Sequence, residues 1–324
     1  MIRTALLLVA ALNMARPACG LAQQLILSAE AGKTEFFEGE PIYLLVRLRN
    51  VGHDTAWVTF FGLGTQTVTL SVTRGNGNPV PVGALSIDYI LRPTWHGEPL
   101  APGASVVNTQ VLQDFAGDGS DIRTHLFAHH LSPDQYEVRV EFPAHAGVPG
   151  ATPLLVTAAP VSFRIRKRTA VEDAEVAELE RMRQMGGDTT RVAGYPRAAG
   201  YKAALIAWVA RRLDEQPDDP FLPFLLYNGL YGVGEILSRH ILAGEVPRFD
   251  PDTSEVVSRL RLTVIDRNKL SSAGAHLVQG LAARHLDQLV FLAEQLNATP
   301  AGEMARYEVE RSRRSVPFER QPPL

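Results

Sequence analysis

Residues 38–52 read EGEPIYLLVRLRNVG and carry the clearest two-residue alternation in the chain. The apolar positions of this alternation are Ile42, Leu44, Val46 and Leu48. The positions between them include Tyr43, Arg47 and Arg49. Because successive side chains of a strand point to opposite faces, the pattern predicts a strand with one face on a core and the other in water. Half-buried strands of this kind are typical of antiparallel sheets.

The same alternation recurs along residues 24–168. Its apolar positions are Val68, Leu70 and Val72; Tyr136, Val138, Val140 and Phe142; and Val161, Phe163 and Ile165. Turn sequences separate these stretches at residues 50–52, 75–79, 102–103 and 132–134. About seven to nine short strands with no helical period among them predict an antiparallel two-sheet sandwich.

The turns of this region resemble those of bacterial immunoglobulin-like domains of secreted proteins. The matching features are Asn50-Val51-Gly52 after a strand, Leu100-Ala101-Pro102-Gly103 before a later strand, and Tyr136 opening the penultimate strand after Ser132-Pro133-Asp134. The resemblance implies an immunoglobulin-like β-sandwich. Unlike antibody-type domains, the region has no cysteine pair. Packed apolar faces must therefore stabilise it, with Trp57 or Trp95 as a central filler.

The first 22 residues have the pattern of an export signal. Arg3 is followed by the apolar run ALLLVAAL at residues 5–12 and by the small-residue site Gly20-Leu21-Ala22. We expect cleavage near Ala22, a mature chain that begins near Gln23, and a periplasmic or secreted protein. Lipidation of Cys19, the only cysteine, is the less favoured alternative, because Arg16 stands where lipoprotein signals usually have an aliphatic residue.

Length and charge narrow the classes of function. The chain has 324 residues, 45% of them hydrophobic, which is enough for two domains that each have a core. The formal net charge of -3 argues against a nucleic-acid binder, since such proteins usually carry a basic face. No apolar run approaches the roughly 20 residues of a membrane-spanning helix. We therefore expect no transmembrane segment and no nucleic-acid partner.

Three groups in the first region suggest ligand sites, and each also has a structural interpretation. His125, His129 and His130 offer imidazoles to a metal, or belong to a polar loop before a strand. The loop with Asp114, Asp118, Gly119 and Asp121 offers oxygens to calcium, or is a solvated turn without the EF-hand spacing. The sequence 95–98, WHGE, is an exposed aromatic platform or a core tryptophan near a strand end.

The pattern changes from strand to helix near Thr169. Just before it, a basic cluster either binds an anion or supplies the outward positions of the last strand; its members are Arg164, Arg166, Lys167 and Arg168. Thr169 and Glu172 then form a capping box, and Gly186 can end the helix that it opens. The apolar stripe of that helix is Val176, Leu179, Met182 and Met185.

Further helical patterns fill residues 169–314. A helix is predicted over about 201–215, a second after Asp219 as N-cap and Pro220 over 221–242, and a third after Asp252 and Glu255. A helical stretch over 272–296 contains His285, which is a core histidine or a ligand, and a last helix follows Thr299-Pro300 to about Arg313. Three glycines interrupt the second helix without forming a phosphate loop: Gly229, Gly232 and Gly234. Residues 315–324 are expected to fray.

The helices with Pro-Asp-type turns between them resemble tetratricopeptide-like hairpins. The resemblance rests on the sequence 216–221, QPDDPF, and on the sequence 297–300, NATP. It implies stacked helical hairpins, although the period is irregular and the signature residues of good repeats are absent. The sequence therefore predicts an all-α irregular bundle or short solenoid as the second domain.

Function is less determined than fold. The chain lacks a Gly-x-Ser-x-Gly elbow, a His-Glu-x-x-His pair, a phosphate loop and a dinucleotide fingerprint, so we assign no catalytic, cofactor-binding or metal-binding residue. The first hypothesis is a non-catalytic exported protein that binds a protein or peptide in the cell envelope. The alternatives are a protease inhibitor acting through loops 75–79 and 114–121, and a metal-dependent hydrolase built on the histidine cluster. Titratable side chains that converge in one cleft between the two regions would mark the site.

Overall fold

The structure is a computed structural model in which strands precede helices, so the fold is a mixed β and α fold. The residues that it describes are 25–58, 68–82, 98–119, 127, 129–144, 154–185, 199–227, 251–281 and 286–314. Residues 1–24, which contain the predicted signal, and residues 315–324 lie outside this set. So do Trp95, Asp121, His125, His285 and the three glycines at 229, 232 and 234.

The strand-rich half contains thirteen strands within the described residues. They are β1 (Leu25–Ala31), β2 (Glu35–Phe37), β3 (Tyr43–Asn50), β4 (Ala56–Val58), β5 (Thr69–Arg74), β6 (Pro79–Val80), β7 (Glu98–Leu100), β8 (Ser105–Val111), β9 (Asp118–Gly119), β10 (His129–His130), β11 (Asp134–Ala144), β12 (Leu154–Thr157) and β13 (Val161–Arg166). A single 3₁₀ turn, Leu112–Asp114, follows β8.

Two sheets dominate this half. One has the order β1-β3-β8 and is antiparallel. The other has the order β2-β13-β11-β5-β6, with β12 also paired to β11, and its only parallel pair among the described strands is β2 with β13. The predicted apolar faces meet in one cluster drawn from both sheets, whose members include Ile42, Leu44, Val46, Leu48, Val72, Val138, Val140, Phe142 and Phe163. The core-facing halves of the predicted alternations are thus confirmed.

The strands β12 and β13 lie one after the other along the same side of β11, and the segment between them contains an extra residue. Both pair antiparallel with β11, where Thr157 faces Glu141 and Val161 faces Val138. The chain takes four steps between these two positions while β11 takes three. The additional residue makes a bulge at the segment that contains Pro160, which has no N–H to give to a ladder.

Six helices have both ends within the described part of the second half. They are α1 (Ala170–Met185), α2 (Ala199–Glu215), α3 (Pro251–Asn268), α4 (Ser272–Leu281), α5 (Leu286–Gln295) and α6 (Pro300–Arg314). Residues 221–227 are also helical. The stretch predicted to be helical over 272–296 contains α4 and α5, and residues 282–285 between them lie outside the described residues. None of the described helices has the length and apolar character needed to cross a membrane.

Two of the helix starts predicted from capping residues, at Thr169 and at Asp219, are confirmed. At α1, the backbone N–H of Thr169 donates to Glu172 at 2.8 Å, and the N–H of Glu172 donates to the Thr169 hydroxyl at 3.4 Å. After α2, the carboxylate of Asp219 accepts the N–H of Phe221 at 2.8 Å. These side chains satisfy backbone donors that have no partner inside the helix.

The second face of β3 does not lie in water along its length, which corrects the prediction. Tyr43 and Leu45 are buried in the cluster that contains the helical core, whereas Arg47 is half-buried and Arg49 is exposed. The helix α4 packs against β3 and β8 and covers the first part of this face. The strand therefore lies between two apolar clusters at its start and becomes half-exposed only at its end.

Polar contacts accompany this docking. The hydroxyl of Ser272 at the start of α4 donates to the carbonyl of Tyr43 at 2.8 Å, and the Tyr43 hydroxyl donates to the carbonyl of Pro220 at 2.8 Å. Arg47 donates two hydrogen bonds, at 2.6 and 2.5 Å, to the carboxylate of Glu303 in α6. A bidentate pair between a guanidinium and a carboxylate fixes the relative orientation of the two elements that carry them and also stabilises their contact. These bonds join strands to helices with a defined geometry.

A buried histidine lies in the same interface. His276 in α4 is 2% exposed, its ring lies 4.0 Å from that of Tyr227, and its Nδ1 is 3.4 Å from the Thr109 hydroxyl. Burial lowers the pKa of His276 to about 3. The amide of Gln279 accepts the Thr109 N–H at 2.8 Å and donates to its carbonyl at 3.2 Å. The helix thereby occupies both backbone groups of one residue of β8.

Candidate binding cleft at the junction

A cleft of about 130 Å³ opens where the strands meet α1. Its lining residues are Glu38, Gly39, Gln113, Phe127, His129, His130, Leu131, Arg168, Val176 and Glu180. Five of these are charged or titratable side chains. They come from the β2–β3 connection, from β10, from the segment after β13, and from α1. The cleft therefore forms only when both halves of the chain are present.

The β2–β3 connection supplies one wall. Gly39 has a φ of +83°, a backbone conformation that favours glycine. The N–H of Glu38 donates to the carbonyl of Arg166 at 3.0 Å, and this bond holds the connection against the end of β13. Behind it, the buried carboxylate of Glu40 pairs with Lys33. Burial raises the pKa of Glu40, and the lysine acts in the opposite direction.

Gln113 ties the 3₁₀ turn to this wall. Its side-chain oxygen accepts the N–H of Ile42 at 3.1 Å, and its nitrogen donates to the carbonyl of Glu40. Gln113 is 3% exposed, and its two hydrogen bonds satisfy backbone groups of Ile42 and Glu40 that water does not reach. Gln113 consequently fixes the position of this wall of the cleft.

The structure places two of the three predicted histidines at the cleft. His129 and His130 form β10, which pairs with Asp118 and Gly119 of β9. Nε2 of His130 lies 3.1 Å from a carboxylate oxygen of Glu38. Nδ1 of His129 is buried and has no hydrogen-bond partner within the described segments. A side chain at Gly117 would collide with the backbone of His130, so glycine permits this close approach.

The basic cluster before α1 is engaged by carboxylates. Arg166 donates to both oxygens of Glu172 at 2.7 and 2.5 Å, and its Nε lies 3.7 Å from Glu35. Arg168, which lines the cleft, pairs with Asp173 at 2.9 Å. The hydrogen bond from Arg166 lowers the pKa of Glu172 to about 2. These pairs favour the structural interpretation of the cluster, as the outward positions of the last strand, and they also tie that strand to α1.

The predicted calcium loop is not assembled as a metal site in the described residues. Asp118 pairs with Arg74 at 2.8 Å. No group of three or more histidine, cysteine, aspartate or glutamate side chains in the described segments is placed to hold a metal ion. The predicted aromatic platform at 95–98 enters the described residues only with Glu98, in β7.

The helix α1 forms the opposite wall and carries a second polar cluster beyond it. Val176 and Glu180 line the cleft. The carboxylate of Glu175 binds the guanidinium of Arg212 from α2, whose Nε also lies 2.6 Å from Asp219. Arg212 in turn lies 5.3 Å from the centre of the Trp208 ring. One helix thus joins the cleft to a buried arrangement of two carboxylates and one guanidinium.

Sequence patterns identified some of these residues and missed others. His129, His130 and Arg168 were singled out in separate motifs, and only the structure brings them together. Glu38 and Glu180 carried no signal of their own, although Glu38 begins the stretch that decides the fold. Glu175 was missed because its partners lie beyond residue 210 in the chain.

No family model matches the sequence, and no curated protein matches it. Among solved structures, the chain is similar to the Pseudomonas fluorescens alkylpurine DNA glycosylase AlkC bound to DNA containing an abasic site analog. The similarity has 13% sequence identity and a TM-score of 0.24, and it covers 44% of this chain and 30% of that chain. A likeness this low carries no argument about the fold or the activity of this protein.

Proposed function

We propose that this is a non-catalytic exported protein that binds a protein or peptide partner, and that the junction cleft holds one side chain of that partner. The observation that carries the proposal is the convergence of five charged or titratable side chains around an apolar floor where the two halves meet. Small-molecule sites usually occupy about 300–1,000 Å³. A cavity of about 130 Å³ is closer to the volume that accommodates a single benzene-sized group.

The charges favour a basic side chain as the occupant. Phe127, Leu131 and Val176 offer an apolar floor, and the carboxylates of Glu38, which lies 3.1 Å from Nε2 of His130, and Glu180 also line the cleft. The one arginine of the lining, Arg168, already has Asp173 as its counter-ion. A lysine or arginine would lay its aliphatic stem on the floor and leave its cation near the carboxylates.

Two finer features of the architecture belong to the same proposal. We infer that the strand half is an immunoglobulin-like sandwich, with no nucleic-acid partner, and that the helical half is an irregular bundle or short solenoid. The sandwich is supported by the two sheets that share one apolar cluster. It is also supported by the Tyr136 hydroxyl, which donates to the carbonyl of Ser132 at 2.7 Å as in the tyrosine corner of such domains.

Site-specific photo-crosslinking tests the binding proposal. A photo-reactive amino acid replaces Glu180 inside the cleft, and a matched variant carries it at Glu178 of the same helix, which pairs with Arg211 of α2. We expect a discrete crosslinked product in an envelope extract from position 180 and not from position 178. A lysine-containing peptide should reduce that product more than the same peptide with leucine. The proposal is contradicted if both positions give an equal yield of crosslinked product. It is also contradicted if no crosslinked product forms and the purified protein hydrolyses a polymer.

Protease inhibition is the second candidate, and one contact favours it. The ion pair between Arg74 and Asp118, at 2.8 Å, joins the edges of the two loops that the sequence singled out. Adjacent fixed loops are the kind of surface that a protease inhibitor presents. We expect the full chain to inhibit at least one secreted protease and an Asp118→Asn variant to inhibit it less. Full protease activity across a panel removes this candidate.

A further inference from the structure

We propose that Glu175, Arg212 and Asp219 form a proton-operated latch that holds α1 against α2, and thereby sets the position of one wall of the junction cleft. The inference rests on the proposed binding function, because α1 supplies Val176 and Glu180 to that cleft. It concerns the regulation of the cleft and not the identity of the partner.

The geometry places one positive charge between two buried carboxylates. Arg212 binds Glu175 through Nη2 and Asp219 through Nε, the latter at 2.6 Å. The side chains of Glu175, Arg212 and Asp219 are 11%, 13% and 0% exposed. With both carboxylates ionised, the cluster has an excess negative charge in a region with little water. With one proton added, the cluster is neutral.

Glu175 is the member that takes the proton. Burial raises its pKa to about 7, with Asp219 acting in the same direction and Arg212 in the opposite one. Asp219 is committed elsewhere, since its other oxygen caps the helical segment 221–227 through Phe221. The proton on Glu175 can therefore form a hydrogen bond to Asp219 without disturbing that cap.

Among the described residues, the charged groups that act on Glu175 are Arg212 from α2 and Asp219 from the turn after α2. The next pair along the same two helices, Arg211 with Glu178 at 2.9 Å, is exposed and neutral as a pair. Toward the strands, Glu172 is held by Arg166. Loss of the proton thus adds charge that only movement of α1 or entry of water can relieve.

The direction of the switch follows from these charges. Below pH 7 the proton is present, the three groups are neutral together, and α1 is held. Above pH 7 Glu175 ionises, repels Asp219, and weakens the contact between α1 and its neighbours. We expect the wall of the cleft to loosen as the pH rises through about 7.

Distance measurements between spin labels test the latch in the full chain. On a Cys19→Ser background, which removes the only cysteine, labels are placed at Ala177→Cys on α1 and at Arg139→Cys on β11, both exposed positions. We expect one narrow distance at pH 5.5 and a second, longer distance at pH 8.5. The population of the second distance should reach half of its final value near pH 7.

Two variants remove the excess negative charge, each by neutralising a different one of the two carboxylates. Glu175→Gln and Asp219→Asn should each keep the single narrow distance at both pH values, because one guanidinium then faces at most one carboxylate. Glu178→Gln is the matched control and should switch like the unmodified protein. An unchanged distance in the unmodified protein, or switching retained in both variants, overturns the latch. Switching without any crosslink from position 180 leaves the latch standing and removes the binding proposal.

Discussion

Two glutamates one turn apart on α1 experience opposite electrostatic environments. Glu172 accepts two hydrogen bonds from Arg166, which the second nearby carboxylate, Glu35, approaches only to 3.7 Å, and the pKa of Glu172 falls to about 2. Glu175 shares one arginine with Asp219 in a more buried place, and its pKa rises to about 7. The same kind of ion pair is therefore accompanied by pKa shifts in opposite directions, according to burial and to how closely a second carboxylate approaches the guanidinium. The contribution of an ion pair to the stability of this protein therefore depends on its surroundings.

Removing the shared cation should have the largest effect. Arg212→Met leaves Glu175 and Asp219 buried without a counter-ion, and breaking a buried pair in this way costs about 3–5 kcal/mol. Urea unfolding at pH 7 measures the loss as a lower midpoint. A loss below about 1 kcal/mol would show that water reaches the cluster, and the contrast between the two glutamates would then disappear.

The contributions of Glu175 and Glu172 to the free energy of unfolding should change with pH in opposite directions. Since the folded pKa of Glu175 lies above its usual 4.5, its contribution to stability is complete below pH 4.5 and is lost as the pH rises through about 7. Compared with Glu175→Gln, the unmodified protein should lose about 2 kcal/mol between pH 4.5 and pH 8, after allowance for partial hydration. Urea midpoints of both proteins across this range check the slope. A parallel course of the two curves contradicts it.

Glu172 should show a smaller effect with the reverse sign. Its folded pKa lies below 4.5, so its contribution is present above pH 4.5 and is lost as the pH falls through about 2. Because the pair with Arg166 is near the surface, we expect less than about 1 kcal/mol for Glu172→Gln. The difference from the unmodified protein should shrink between pH 6 and pH 3, and added salt should reduce it further.

The exposed pair beside the buried cluster should matter least. Arg211 and Glu178 are 48% and 36% exposed, and such pairs contribute about 0–1 kcal/mol. Arg211→Met, which differs from Arg212→Met by one position on the same helix, should change the urea midpoint hardly at all. A loss comparable to that of Arg212→Met would mean that position on α2, and not charge pairing, determines the cost.

The sequence predicted the local features of this fold and failed where distant segments meet. Alternation placed Ile42, Leu44, Val46 and Leu48 on a core, and capping chemistry located Thr169 and Asp219, because each depends on neighbours within a few residues. The covered face of β3 was missed, since its cover comes from α4, more than 200 residues later. Leu45 was the available signal: an apolar residue on the face that was predicted to lie in water.

The candidate cleft was predicted in fragments. The histidines of β10 and the arginine at 168 each stood out by residue type, whereas Glu38 and Glu180 have no local pattern that separates them from ordinary surface glutamates. Their proximity results from docking α1 onto the end of β13, which depends on Arg166 and Glu172. Pairings across the chain of this kind cannot be inferred from the period of one segment.

The contact between Gln279 and Thr109 has a consequence for self-association. Both backbone groups of Thr109 are occupied by the glutamine amide, so this position of β8 has none left for a strand from another molecule. Unpaired backbone groups at sheet margins are a common starting point for aggregation. The docked helix α4 therefore protects this position of β8 from aggregation, and any treatment that separates α4 from the strand would expose an edge that can pair with another molecule.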